Sequence, residues 1–165
     1  MCKKALLIGS VIASLMVGTA KAEPDTSKIY GDWMLTIENQ SGVKTAQIVQ
    51  TVASAKDPGH QVLKLAISYT KDHQIPEITA IVPLGLFLTQ GLPIRIDQSN
   101  EITLPWQYCF ASGCVARRLL TQEHIESLIH AKQLNVNVLP VSQQKTVTIP
   151  LSPKGLQAAL AALRT

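Results

Sequence analysis

Apolar and polar residues alternate along much of this chain. Trp33, Leu35 and Ile37 are set against Met34, Thr36 and Glu38; Ala46, Ile48 and Val52 against Gln47 and Thr51. Leu63, Leu65, Ile67 and Tyr69 face away from Lys64 and Ser68. The pattern resumes at Ile94 and Ile96, continues through Ile102, Leu104, Trp106 and Tyr108, and returns over 114–120, 134–139 and at Val147 and Ile149. Successive side chains of a strand point to opposite faces, so each run predicts a strand with one inward face. Their content of Val, Ile and Thr agrees. Gln40-Ser41-Gly42, Asp57-Pro58-Gly59, Asp97-Gln98-Ser99-Asn100 and Ala111-Ser112-Gly113 separate them and are turn-forming. About nine strands with such separators predict a mainly β fold, an antiparallel two-sheet sandwich. A parallel sheet needs crossover helices, and there are too few candidates for them.

Two segments change period. Thr121 precedes Ile125, Leu128 and Ile129, which share one face of a short helix that Thr121 caps. Ser152-Pro153 reads as a cap followed by a first helical position. Leu156, Ala159, Leu160 and Leu163 then form one apolar stripe, predicting a C-terminal helix packed on the sandwich. The uncharged stretch Ile81-Val82-Pro83-Leu84-Gly85-Leu86-Phe87-Leu88 is broken by Pro and Gly, which argues against one continuous central strand. It reads as a buried strand end followed by a tight turn, with an exposed apolar loop as the rival.

The ends of the chain add a compartment. Lys3 and Lys4 precede an uncharged, largely apolar run from Ala5 to Ala20, and Ala20-Lys21-Ala22 stands before Glu23. A basic start, an apolar middle and small residues at the −3 and −1 positions predict a secretory signal peptide over residues 1–22. The run spans only ~24 Å as a helix, short of a hydrocarbon core of ~30 Å. No stable membrane span is therefore expected once the leader is cleaved. Residues 23–30 are polar and Pro-containing, the pattern of a mobile mature N-terminus. Residues 31–165 are left as a single β-sandwich domain.

Removing the leader also changes the charge. The full chain carries +4, with 15 basic residues against 11 acidic ones. Lys3, Lys4 and Lys21 leave with the leader, so the mature chain is at +1. The densest basic pair, Arg117-Arg118, points to opposite faces of a strand, so no basic face forms for nucleic acid.

Candidate chemistry is sparse. Cys2 leaves with the leader, and it lies too early for a lipoprotein cleavage site. Cys109 and Cys114 are then the remaining thiols, with four residues between them across a Gly-containing turn. In an oxidising compartment they should form a disulfide that clamps a hairpin tip. Closing so short a loop contributes about 2 kcal/mol. A redox-active pair has two intervening residues at a helix start, and neither condition holds here. His60, His73, His124 and His130 show no zinc spacing, so no metal and no cofactor is expected. No G-x-S-x-G elbow or phosphate-cradling Gly loop occurs, and no catalytic residue is nominated. Trp106, Tyr108 and Phe110 are three of the seven aromatics, on alternate positions leading into the cysteines. They suit core packing against a disulfide, or a partner surface, where aromatics are enriched.

Four blocks in this order resemble the invasion-associated locus B family: Gly31-Asp32-Trp33, Val82 to Asp97, Tyr108 to Ala116, and Leu151 to Leu163. The resemblance covers roughly residue 30 to the end. It implies an immunoglobulin-like β-sandwich, no known catalytic activity or cofactor, and a role at the bacterial envelope, in some members associated with entry into host cells. The Cys109–Cys114 pair is the one chemical feature that carries over. Family members often have a second cysteine pair, at positions that here hold Ile37 and Ala46; both partners are replaced together, which fits apolar packing in place of a bond. The expectation is a non-enzymatic exported protein of the periplasm or cell surface that binds a protein or other envelope or host-cell component. A chaperone-like or structural accessory that adds a strand to its client, and a periplasmic enzyme with a dispersed site, are the alternatives.

Overall fold

A computed structural model describes residues 26–40, 43–69, 75–88, 91–98 and 100–164. The leader expected over 1–22, the Ser41-Gly42 turn tip, Ser99 and His73 lie outside the described residues. In chain order the elements are β1 (Thr26–Tyr30), β2 (Trp33–Gln40), β3 (Val43–Ala53), β4 (Gln61–Tyr69), β5 (Pro76–Val82), β6 (Leu92–Ile96), β7 (Asn100–Leu104), β8 (Trp106–Phe110), β9 (Gly113–Leu119), α1 (Gln122–Ile129), β10 (Leu134–Val138), β11 (Val147–Leu151) and α2 (Leu156–Leu163). A seven-stranded sheet runs β1-β2-β3-β4-β5-β9-β8 and a four-stranded sheet β11-β10-β6-β7. Every pairing is antiparallel. The result is an immunoglobulin-like sandwich with two short helices, as the alternation and the resemblance lead one to expect.

Alternation decides which faces meet. Leu63, Leu65 and Ile67 of β4, Ile78 and Ala80 of β5, Ile94 of β6, Leu104 of β7 and Val136 of β10 are all essentially inaccessible. With Ile125 and Leu128 of α1 and the α2 stripe Leu156, Ala159, Leu160 and Leu163, they belong to one continuous core. Eight residues are too few for a helix to persist alone in water. Burial of that stripe therefore holds α2, which packs on β1, β2 and β3. At its far end Arg164 donates through Nε to the Tyr69 hydroxyl and lies 5.8 Å from that ring's centroid.

The structure corrects four expectations. Thr26–Tyr30 is not a loose terminus but an edge strand, in register with β2 from Thr26↔Ile37 to Tyr30↔Trp33. Its side chains are mostly exposed, so the pairing rests on backbone hydrogen bonds that the hydrophobic pattern does not report. β5 is a central strand that alternation understates, because it begins with a proline and uses a small Ala80 on its inward face; Pro is tolerated at a first strand position. The run from Ile102 to Tyr108 is two strands in different sheets, divided at Pro105. Finally, α2 starts at Leu156 with Gly155 as its cap, three residues beyond the cap that Ser152-Pro153 predicts.

Ser152 is used elsewhere, and its partners explain two of the four family-like blocks. Gln50 is the one buried polar residue among those described. Its amide nitrogen donates to the carbonyls of Asp32 (3.2 Å) and Ser152 (3.0 Å), and its oxygen accepts from the Ser152 amide at 2.8 Å. The indole of the buried Trp33 donates to the same Ser152 carbonyl at 2.9 Å. Asp32 accepts from the Ser152 hydroxyl through its carboxylate, and its amide donates to the Lys154 carbonyl at 3.0 Å. The β1–β2 turn and the α2 approach thus close on each other. Gly31 (φ 59°) and Gly155 (φ 87°) sit where they touch, and a Cβ on Gly155 would lie 2.0 Å from the Tyr30 carbonyl oxygen. Glycine is required there twice over, by conformation and by space.

Two outcomes are expected. Gln50→Leu leaves buried backbone groups without partners and should lower stability by ~2–4 kcal/mol, read as a drop in the urea midpoint with unchanged m-value. Ile37 and Ala46 are direct cross-strand partners, so Ile37→Cys with Ala46→Cys should oxidise to a disulfide, seen by mass and by non-reducing electrophoresis, and raise stability by up to ~3 kcal/mol.

Candidate functional site

The candidate residues cluster on the hairpin formed by β8 and β9. Phe110 pairs with Gly113 across Ala111-Ser112, and Cys109 stands opposite Cys114. The two cysteines are bonded, with their Cα atoms 4.0 Å apart. Cys114 is buried, while Cys109 lies on the exposed strand. Gly113 (φ 155°) is fixed by packing, since a Cβ there would come within 2.4 Å of the Val82 carbonyl oxygen. The hairpin tip is therefore stapled laterally by sulfur and pressed against β5 by a residue that has no side chain.

The three aromatics do not share one environment. A register irregularity between Trp106 and Tyr108 breaks the alternation that would align them. Trp106 packs on the core from a partly buried position, and its buried indole N–H has no acceptor among the described residues. Tyr108 is 59% exposed and Phe110 42% exposed, with ring centroids 6.2 Å apart at a 47° tilt. Core packing thus holds for the first ring and fails for the other two. β8 ends its sheet, so these rings stand on a strand with a free edge.

The Ile81–Leu88 stretch divides in the same way. Val82 closes β5 in the core, whereas Leu84, Phe87 and Leu88 are exposed at 53%, 41% and 42%. This strap is nonetheless anchored: the Phe87 amide donates to the Leu139 carbonyl and the Val141 amide to the Gly85 carbonyl, both at 2.9 Å. The basic pair is spent on structure. Arg117 lies 3.7 Å from Glu77, and Arg118 donates to the Thr103 carbonyl at 2.9 Å, tying the large sheet to the small one. No local pattern marks either partner in the sequence.

The histidines have local positions. His124 belongs to the α1 start, its amide donating to the Thr121 hydroxyl and its Nδ1 accepting from the Thr121 amide, both at 3.2 Å. Thr121 is the cap that the helical pattern predicts. His130 ends the same helix, and His60 closes the Ser54–His60 turn by backbone bonds. Among the described residues no group of three His, Cys, Asp or Glu side chains is placed to hold a metal. No helix among them is long and apolar enough to cross a membrane.

These features define a disulfide-fastened β-sandwich that presents an aromatic strand edge. The family model for the invasion associated locus B protein matches residues 33–164, and the chain belongs to that family. Two invasion protein B homologs, from Brucella abortus strain 2308 and from Brucella abortus biovar 1 strain 9-941, are each 25% identical over 151 residues, covering 92% of this chain and 84% of theirs. The crystal structure of invasion associated protein b from Bartonella henselae shares the fold with a TM-score of 0.72, at 16% identity over 84% of this chain and 94% of that one.

Replacing both Cys109 and Cys114 with Ser should leave the sandwich folded and cost about 2 kcal/mol, measured as a shift of the denaturation midpoint. Loss of near-ultraviolet circular dichroism in the absence of denaturant would show instead that the bond is a condition for folding.

Proposed function

We propose that the protein is an exported, non-enzymatic component of the bacterial envelope that acts by binding a protein or other envelope or host-cell component. The observation that carries this reading is the exposure of Tyr108 and Phe110 on β8 beside the Cys109–Cys114 bond. Large aromatics held rigidly lose little freedom on contact and dominate binding energies. Membership of a family named for invasion supports an outward-facing role. The periplasm or the cell surface is the proposed compartment, with residues 1–22 as a cleaved leader and 31–165 as the working domain. The edge position of β8 favours a second reading, in which an extended segment of a client adds a strand there.

A photo-crosslinking amino acid in place of Ser112, exposed at the hairpin tip two residues from Phe110, in intact cells, tests both readings. Adducts are expected at that position and not at Lys56, an exposed site. Tyr108→Ser with Phe110→Ser should abolish them while changing stability by no more than ~0.5 kcal/mol. Adduct formation that survives the double substitution would refute the assignment of this surface. Fractionation of the same culture checks the compartment, and recovery of the protein only from the cytoplasm would refute export.

A further inference from the structure

A second site lies on the outward face of the four-stranded sheet, under the strap that follows β5. It is a cavity of about 580 Å³, inside the range of sites that hold small molecules. Pro93 of β6 and Thr103 of β7 are cross-strand partners on its floor, and Asn137 of β10 continues it. Phe87 and Trp106 supply aromatic walls. The site is built rather than incidental. Phe87 is held through its backbone by Leu139, and Trp106 is seated against the core.

The lining dictates what fits. Glu101 is the single ionisable residue among the described ones that line it, 3.7 Å from Arg95 and accepting the Thr103 hydroxyl at 3.3 Å. Among the described residues no lysine or arginine lines the cavity, so none of them is placed to neutralise a phosphate or carboxylate ligand. The Thr103 hydroxyl donates to Glu101 and the Asn137 carbonyl oxygen accepts from Thr148 at 2.9 Å; the Thr103 oxygen can still accept and the Asn137 amide nitrogen can still donate, and a purely aliphatic ligand would use neither. The Trp106 indole N–H is buried without an acceptor among the described residues, so this residue offers a ligand its ring surface and not a hydrogen bond. A matching ligand is neutral, has an apolar C–H face for the two rings, and carries groups that both donate and accept. A sugar ring has all three properties.

We propose that this cavity is a subsite for a neutral sugar unit of a glycan. It is distinct from the Tyr108–Phe110 surface and stands without it. The chain has only two tryptophans, and Trp33 is buried on the α2 side with its own acceptor. Titration of the purified protein with the hexamers of β-1,4-linked N-acetylglucosamine and of α-1,4-linked glucose should therefore shift the Trp106 indole N–H resonance with one of them and leave that of Trp33 in place. Phe87→Ala should weaken that binding by about tenfold and Asn137→Ala by about fivefold, with the fold intact by circular dichroism.

No shift with either oligosaccharide at millimolar concentration would overturn the proposal, as would a shift unchanged by Phe87→Ala. Saturable binding at Trp106 of a proline-rich peptide in place of sugar would also overturn it. The Tyr108→Ser, Phe110→Ser variant should keep the sugar response. Loss of crosslinked adducts with that response intact separates the two sites, and joint loss would deny a separate sugar subsite.

Discussion

The sandwich depends on how one polar side chain is accommodated in an apolar interior. The Gln50 carboxamide is buried on β3, and both of its ends are used: the nitrogen on the Asp32 and Ser152 carbonyls, the oxygen on the Ser152 amide. An amide transferred to such a place without partners would cost several kcal/mol. Satisfied in this way it becomes directional, because only one arrangement of the β1–β2 turn and the segment before α2 offers those groups together. The Trp33 indole shares the Ser152 carbonyl, so the largest buried side chain near that end is oriented by the same acceptor. Hydrophobic area gathers the two sheets and the helices; this amide sets their mutual alignment.

A second polar staple works at the same end of the small sheet, where Ile96, Leu134 and Leu151 stand in one row. Asp97 adopts a positive φ of 51° at the β6–β7 turn, and its carboxylate accepts from the amides of Lys132 and Gln133 at 2.9 Å each. That ties the small sheet to the approach of β10. Together with Arg118 on the Thr103 carbonyl, these contacts fix where one sheet lies over the other. The exposed rings on β8 and the walled cavity beside β6 and β7 both inherit their rigidity from that alignment.

The sequence showed the inward faces well, because period-two alternation is a direct imprint of burial. Leu63, Leu65 and Ile67, the α2 stripe, the Thr121 cap and the cysteine pair could all be read from spacing. What spacing could not show was backbone-driven. β1 pairs by main-chain groups under exposed side chains, and the division at Pro105 leaves the alternation uninterrupted while the strand changes sheets. The Ser152 cap signal was real chemistry directed to a different partner, since its hydroxyl and amide serve Asp32 and Gln50. The candidate surface was half legible: Trp106, Tyr108 and Phe110 stood out, but the irregularity that separates the first from the others leaves no mark in residue type. The cavity assembles Phe87 and Asn137 from distant strands and loops, and no local motif could announce it.

The chain order of the Gln50 contacts has a consequence for biogenesis. The bonds to Ser152 join residues 102 positions apart, and the Trp33 bond spans 119. A polypeptide emerging from a ribosome with its N-terminus first cannot align its interior in this way until Ser152 is free. Until then β3 carries an unanswered amide, and the rim where α2 belongs stays open. Such late closure keeps a nascent chain pliable and postpones the commitment to a finished globule until the segment around Ser152 is available.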